Sequence, residues 1–175
     1  VRWADLDGDG TLELVTVGDS SGRNYIYGFK GNEFTEIGYF SSDTQLVRVE
    51  VGNFDADPNG TIDLLVSSNV INARCPVQLY RNDGQGQFPA TGECVSTDPT
   101  ANIGPGDFDN DGDLDLALGI FPNTLQLLIN EGGRLTATNN IPIDSSVPFL
   151  SYGFAWGDYD RDGYLDLAAA FPLQR

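Results

Sequence analysis

The stretch Asp107-Phe108-Asp109-Asn110-Asp111-Gly112-Asp113-Leu114-Asp115-Leu116 decides how this chain is read, because it recurs. Three further copies are Asp5-Leu6-Asp7-Gly8-Asp9-Gly10-Thr11-Leu12-Glu13-Leu14, Asp55-Ala56-Asp57-Pro58-Asn59-Gly60-Thr61-Ile62-Asp63-Leu64 and Asp158-Tyr159-Asp160-Arg161-Asp162-Gly163-Tyr164-Leu165-Asp166-Leu167. Counted from the first aspartate, each has side-chain oxygens at positions 1, 3, 5 and 9 and glycine at position 6. An apolar segment follows every copy.

That spacing is the chemistry of a hard-cation cage. Calcium takes 6–8 oxygen ligands, and alternate residues of a tightly turning loop can point at one ion. Glycine at position 6 permits the backbone angles of a sharp turn. Position 7 (Thr11, Thr61, Asp113, Tyr164) varies freely, as expected where only a backbone carbonyl is used. A single copy would read as an Asp/Gly turn with solvated carboxylates. Four copies in one register argue against that, because crowded carboxylates repel unless a cation sits among them. Up to four calcium ions are expected. An EF-hand would need a glutamate at position 12 and flanking helices. Position 12 is Thr16, Val66, Leu118 or Ala169, so the loops are not EF-hands.

The second loop has another register, Asn53, Asp55 and Asp57 with Pro58-Asn59 inserted, and the sequence leaves both open. Asn59-Gly60-Thr61 is also a glycosylation sequon, which would compete with metal binding if Asn59 were a ligand.

The position-6 glycines fall at 10, 60, 112 and 163, a period of 50 to 52 residues. Such a period means a propeller, solenoid or array. Within each period a short apolar run enters the loop, as in residues 46–54 and 151–156. A second leaves it, over 12–17, 62–67, 114–120 and 165–171. Hairpins follow at 25–39, 77–93 and 125–139, turning at Lys30-Gly31-Asn32, Asp83-Gly84-Gln85-Gly86 and Glu131-Gly132-Gly133. The expected fold is all-β, with propeller-like blades of four antiparallel strands. The expected blades are residues 1–45 (with an incomplete first strand), 46–99 and 100–146, and a partial fourth at 147–175. This makes about three and a half repeats, short of a closed propeller, and so a fragment, an open array or a subunit completed by other chains.

Cys75 and Cys94 are equidistant from the Asp83–Gly86 turn, which predicts a disulfide across that hairpin and an oxidising compartment. The net charge is −17, but the four loops hold sixteen of the 26 acidic residues, and the other ten nearly balance nine Lys and Arg. Four divalent ions would bring the total to about −9. No basic patch exists for nucleic acid, and no apolar run is long enough for a membrane span. The chain begins at Val1 and lacks methionine, as a processed or excerpted chain would.

The motifs resemble FG-GAP repeats, also called VCBS-like repeats, over essentially the whole chain. Gly106 to Leu116, Gly157 to Leu167 and the Asn82-Asp83-Gly84-Gln85-Gly86-Gln87-Phe88 hairpin carry the likeness best. Such repeats form the calcium-binding propellers of integrin α-subunit heads. They also occur in fungal lectins, some polysaccharide lyases and many bacterial surface proteins. The resemblance implies calcium on the loop between the first two strands of each blade. Glu13 in place of aspartate and Pro58 in the second loop depart from the pattern.

The expected function is a secreted or cell-surface calcium-binding scaffold for adhesion or assembly, its partners other chains or further blades, its products oligomers or filaments. The alternative is a glycan-binding module, or a non-catalytic part of a polysaccharide-active enzyme. Trp3 and Trp156 both lie two residues before a loop, and Tyr152, Tyr159 and Tyr164 are near the fourth. Those rings fit sugar stacking or, more simply, packing between blades. The chain has no histidine, which removes Ser-His-Asp and Cys-His catalysis. The acidic residues outside the loops do not cluster, so no enzyme is expected.

Overall fold

The computed structural model describes residues 1–18, 22–42, 44–55, 57–70, 72–90, 92–138, 140–143 and 153–170. Among them every regular element is a strand. The first sheet holds β1 (Arg2–Ala4), β2 (Glu13–Thr16), β3 (Arg23–Lys30) and β4 (Glu33–Ser41), in that spatial order. The second holds β5 (Arg48–Gly52), β6 (Asp63–Ser67), β7 (Val77–Tyr80) and β8 (Glu93–Ser96). In the third, β9 (Thr100–Gly106), β10 (Asp115–Ile120), β11 (Thr124–Asn130) and β12 (Leu135–Ala137) run in order, and β13 (Ile141–Pro142) also pairs with β11. A two-stranded sheet of β14 (Gly153–Gly157) and β15 (Asp166–Ala170) follows. Among the described residues all pairings are antiparallel, and no sheet closes into a barrel. This is the all-β, propeller-like array of four-stranded units that the repeat predicts.

The core lies between sheets. Ala4, Leu6, Val15, Ile26 and Phe40 of the first sheet's repeat pack against Leu46, Val49, Leu64, Val66 and Tyr80. Phe54, Leu65, Val77 and Leu79 pack on the opposite side, against Ile103, Leu116, Leu118, Ile120 and Leu128. Side chains alternate across a strand, so Leu64 and Val66 serve one junction and Leu65 the next. A sheet covered on both faces therefore reads as a continuous apolar run. Every residue of β6 and β10 is buried, whereas β15 alternates between exposed and half-buried.

At the third junction Phe154 and Trp156 lie on glycines of β9. A Cβ on Gly104 would sit 2.8 Å from the Phe154 Cβ, and one on Gly106 2.6 Å from Trp156 Cδ1. The Trp156 indole donates to the Gly104 carbonyl at 3.2 Å and stacks on Phe108 with centroids 5.9 Å apart. Trp156 is a packing residue. Trp3, at the same repeat position, is 48% exposed and touches the Phe34 ring of its own sheet.

The hairpins differ from expectation in detail. Gly31 and Asn32 alone form the first turn, both at positive φ, between the paired residues Lys30 and Glu33. In the second hairpin the pairing nearest the turn is Leu79 with Glu93, so the return strand begins at Glu93 rather than running over 87–93. Pro89 brings no N–H to a ladder there, and the Asp83 amide closes the turn on the Gln87 carbonyl at 3.2 Å. A bulge at Val77/Gln78 then places Cys94 opposite Gln78. Cys75 precedes β7, yet Cys75 and Cys94 are bonded, 5.7 Å apart at Cα. The pairing is as expected, but the symmetric hairpin behind that expectation is not present. In the third hairpin the expected return strand is split into β12 and β13, with Leu128 opposite Ala137 and Leu125 opposite Ile141. Asn139, Tyr152 and residues 144–152 and 171–175 of the expected segments lie outside the described residues.

Candidate metal centres

Each loop joins the first two strands of its sheet, and its aspartates organise their own backbone. In the first loop Asp5 accepts from the amides of Gly8 (2.8 Å), Asp9 (3.1 Å) and Gly10 (3.0 Å). The third repeats this with Asp107 accepting from Asp111 and Gly112, both at 3.1 Å. In the fourth, Asp158 accepts from Asp162 (3.0 Å) and Gly163 (3.2 Å). Position 3 accepts from position 5, as Asp7 does from Asp9 at 3.2 Å, Asp109 from Asp111 at 3.3 Å and Asp160 from Asp162 at 3.1 Å. Position 5 accepts from position 7: Asp9 from Thr11, Asp111 from Asp113 and Asp162 from Tyr164. The chain can turn this sharply because Gly10, Gly112 and Gly163 hold φ of 86°, 100° and 93°.

Position 9 anchors the loop from the start of the second strand. Glu13 accepts from the Leu6 amide (2.8 Å), Asp115 from Phe108 (3.0 Å) and Asp166 from Tyr159 (2.9 Å). The result is convergence. Asp5, Asp7 and Glu13 each bring a carboxylate oxygen to within 4.8 Å of the others, as do Asp107, Asp109 and Asp115, and Asp158, Asp160 and Asp166. Asp9, Asp111 and Asp162 lie outside these groups. Asn110 donates to the Gly163 carbonyl at 2.7 Å, linking the third loop to the fourth.

The same hydrogen bonds choose between the two registers of the second loop. Phe54 donates to Asp63 at 3.0 Å, as Phe108 does to Asp115. Asp57 donates to Asp55 at 3.2 Å, and Thr61 to Asp57 at 2.9 Å. Asn53, Asp55, Asp57, Thr61 and Asp63 thus occupy positions 1, 3, 5, 7 and 9. Pro58 and Asn59 are the insertion, so Asn59 does not hold the fifth position and Asp55 is third, not first. Asn53 donates to the Asp57 carbonyl at 3.3 Å, but its Oδ1 is buried without a partner. Buried polar oxygens are rarely left so. Asp55 also faces the Arg81 guanidinium at 3.4 Å, a cation that the other loops' groups lack among the described residues.

Electrostatics follow from burial. Glu13, Asp63 and Asp115 are buried, and desolvation raises their carboxyls above the ordinary range. Amide hydrogen bonds oppose this. The neighbouring Asp7, Asp9 and Asp5 add to the rise at Glu13, and Asp109 and Asp111 to that at Asp115. At Asp9 the Thr11 hydroxyl and amide hold the carboxyl below its usual value.

Between sheets, two asparagines tie the first and second loops to the repeat that follows each, and the loop motif alone gave no sign of them. Asn82 donates to the Leu6 and Ile62 carbonyls at 2.7 and 3.0 Å, and Asn130 to those of Phe54 and Leu114 at 3.2 and 3.1 Å. The signal is visible in hindsight as Asn-acidic-Gly, at Asn82-Asp83-Gly84 and Asn130-Glu131-Gly132.

No curated protein matches the chain. Among solved structures, a chain of the Photorhabdus luminescens Tc holotoxin pore aligns with 98% of this chain at 20% identity and a TM-score of 0.53. This chain spans only 8% of that one, and the likeness is one of fold. The model of the FG-GAP-like repeat matches three times, over residues 5–66, 55–118 and 107–169, each match running from one loop through the next. Loop, hairpin and period recur together across nearly the whole sequence, and the chain belongs to the FG-GAP-like repeat family.

Proposed function

We propose that the chain is an extracellular, non-catalytic repeat scaffold for adhesion or assembly, with calcium rigidifying its loops. The observation that carries this is the convergence of three carboxylates, at positions 1, 3 and 9, in three separate loops. Such groups repel unless a cation sits among them. Hard oxygen donors of flexible count suit calcium better than magnesium, which demands octahedral geometry and keeps its waters. In the second loop Asn53, Asp55 and Asp63 would hold the ion, and the unpartnered Asn53 oxygen fits that role. When bound, the ions supply charge neutralisation and cross-links between strands rather than reaction chemistry. The disulfide supports an oxidising, extracellular setting. Extracellular modules bind calcium at roughly 10⁻⁴–10⁻³ M. Calorimetric titration of the metal-stripped chain should show binding in that range and a raised melting temperature. No heat and unchanged melting would sink the reading.

A further inference from the structure

The sequon Asn59-Gly60-Thr61 is absorbed neither by the fold nor by the metal centres. No other asparagine of the chain has Ser or Thr two residues on. The motif exists because the second loop is longer than the others. Asp9, Asp111 and Asp162 run directly into Gly10, Gly112 and Gly163, whereas Pro58 and Asn59 stand between Asp57 and Gly60.

The two extra residues form a β-turn that the Gly60 amide closes on the Asp57 carbonyl at 3.1 Å. Proline at the second place of such a turn presets φ, and glycine is favoured at the fourth. Gly60 holds φ of 67°, and a Cβ there would meet no described atom within 4 Å. Pro58, Asn59 and Gly60 are all exposed. At the base of the turn the Asp57 carboxylate accepts from the Thr61 amide at 2.9 Å. The turn is therefore pinned at its base and open at its tip. Among the described residues no hydrogen bond engages the Asn59 side chain or the Thr61 hydroxyl.

Two requirements of an N-glycan acceptor are thus met together. One is a surface amide with room for a bulky group, and the other is a hydroxyl two residues on that the fold does not engage. The third requirement is the compartment. The Cys75–Cys94 disulfide lies in the same repeat, and such bonds form along the oxidising secretory route, where N-glycans are added.

We propose that Asn59 carries an N-linked glycan on an insertion outside the loop's ligand set, so that sugar and cation occupy the second loop together. The donor is a glycan held on a polyprenyl lipid through a diphosphate. The Asn59 Nδ2 forms a bond to the anomeric carbon and gives up one proton. The bond from that carbon to the phosphate oxygen breaks, and the lipid diphosphate leaves with the electron pair. The proposal rests on the extracellular part of the reading above and not on calcium.

The test directs the chain, behind a secretory leader, into the endoplasmic reticulum of a eukaryotic cell and reads its mass in total cell material. Glycans are added as a chain enters that compartment, so a variant that does not fold is still read. The unaltered chain should be heavier than its sequence by one glycan. Peptide N-glycosidase should remove the increment and leave an aspartate in place of Asn59 in a peptide map. Asn59→Gln and Thr61→Ala should each lose the increment, and Thr61→Ser should keep it. A chain without the increment, or an increment that survives Asn59→Gln or Thr61→Ala, overturns the proposal. Calcium titration of the glycosylated chain and of Asn59→Gln then tests shared occupancy, and both should bind the same number of ions. One ion fewer in the glycosylated chain overturns it. A chain that binds calcium but never gains a glycan sinks the glycan alone. A glycosylated chain that binds no calcium in either form sinks the calcium reading alone.

Discussion

Asn130 reaches from the third sheet into the second, its side-chain amide donating to the Phe54 carbonyl 3.2 Å away. The same amide bonds the Leu114 carbonyl at 3.1 Å, and its oxygen accepts from Gly133 at 3.0 Å. One buried side chain thus closes its own hairpin turn and clamps the acidic loop of the preceding repeat. Asn82 does the same between the second sheet and the first.

Removing that clamp should be costly because the carbonyls it serves stay buried. Asn130→Ala leaves Phe54 and Leu114 acceptors without donors, and unmade buried hydrogen bonds cost about 1–3 kcal/mol each. The expected loss is about 2 kcal/mol in urea unfolding, after local relaxation. A change below about 0.5 kcal/mol would show that the bridge is replaceable by water.

The third junction depends on absent side chains. Gly106→Ala would place a methyl 2.6 Å from Trp156 Cδ1, and the indole, held by its bond to Gly104, cannot yield freely. Overpacking of this kind costs about 1–3 kcal/mol. The variant should unfold earlier in urea and shift the tryptophan emission as Trp156 moves. Gly153→Ala, whose added Cβ would meet no described atom within 4 Å, is the control and should be near neutral. Equal effects at both positions would mean that strand propensity, not the junction, sets the cost.

The disulfide predicts its own reduction product. Reduction should add about 2 Da, one hydrogen per sulfur. Replacing Cys75 and Cys94 by serine opens a loop of sequence separation 19, which in the chain-entropy account removes about 3 kcal/mol. No mass change on reduction would remove the bond from the structure.

Much of this was legible in the sequence because the repeat is local. The acidic positions of the loops, the position-6 glycines and the period are fixed by short-range spacing, so the sheets fall where the motif puts them. What was not legible depends on contacts across 50 residues or more. The blade-bridging role of Asn82 and Asn130 needs the preceding loop in place. Trp3 is exposed and Trp156 half-buried against Gly106 of the preceding sheet, though both occupy one repeat position. The second hairpin misled because symmetry about a turn assumes an unbroken ladder, and Pro89 and the bulge at Val77/Gln78 break it.

The second loop offers the sharpest test of the metal reading, because its two asparagines, Asn53 and Asn59, predict opposite outcomes. Asp109→Ala, at a converging position of the third loop, should lower the melting temperature in calcium while leaving it nearly unchanged in EDTA, since the lost carboxylate helps only when a cation is present. The second loop should obey the same rule at Asn53, whose oxygen stands at position 1 without a partner. Asn53→Ala should reduce calcium-dependent stabilisation, and Asn53→Asp should increase it by adding a charge to the ligand set. Asn59→Ala should do neither, because Asn59 is exposed and belongs to the insertion. Calcium titration of the three variants reads the register directly. If Asn59→Ala weakens binding and Asn53→Ala does not, the hydrogen-bond pattern around Phe54 and Asp57 has been matched to the wrong positions. If neither changes binding, Arg81 beside Asp55 supplies the loop's positive charge, and three ions rather than four are bound.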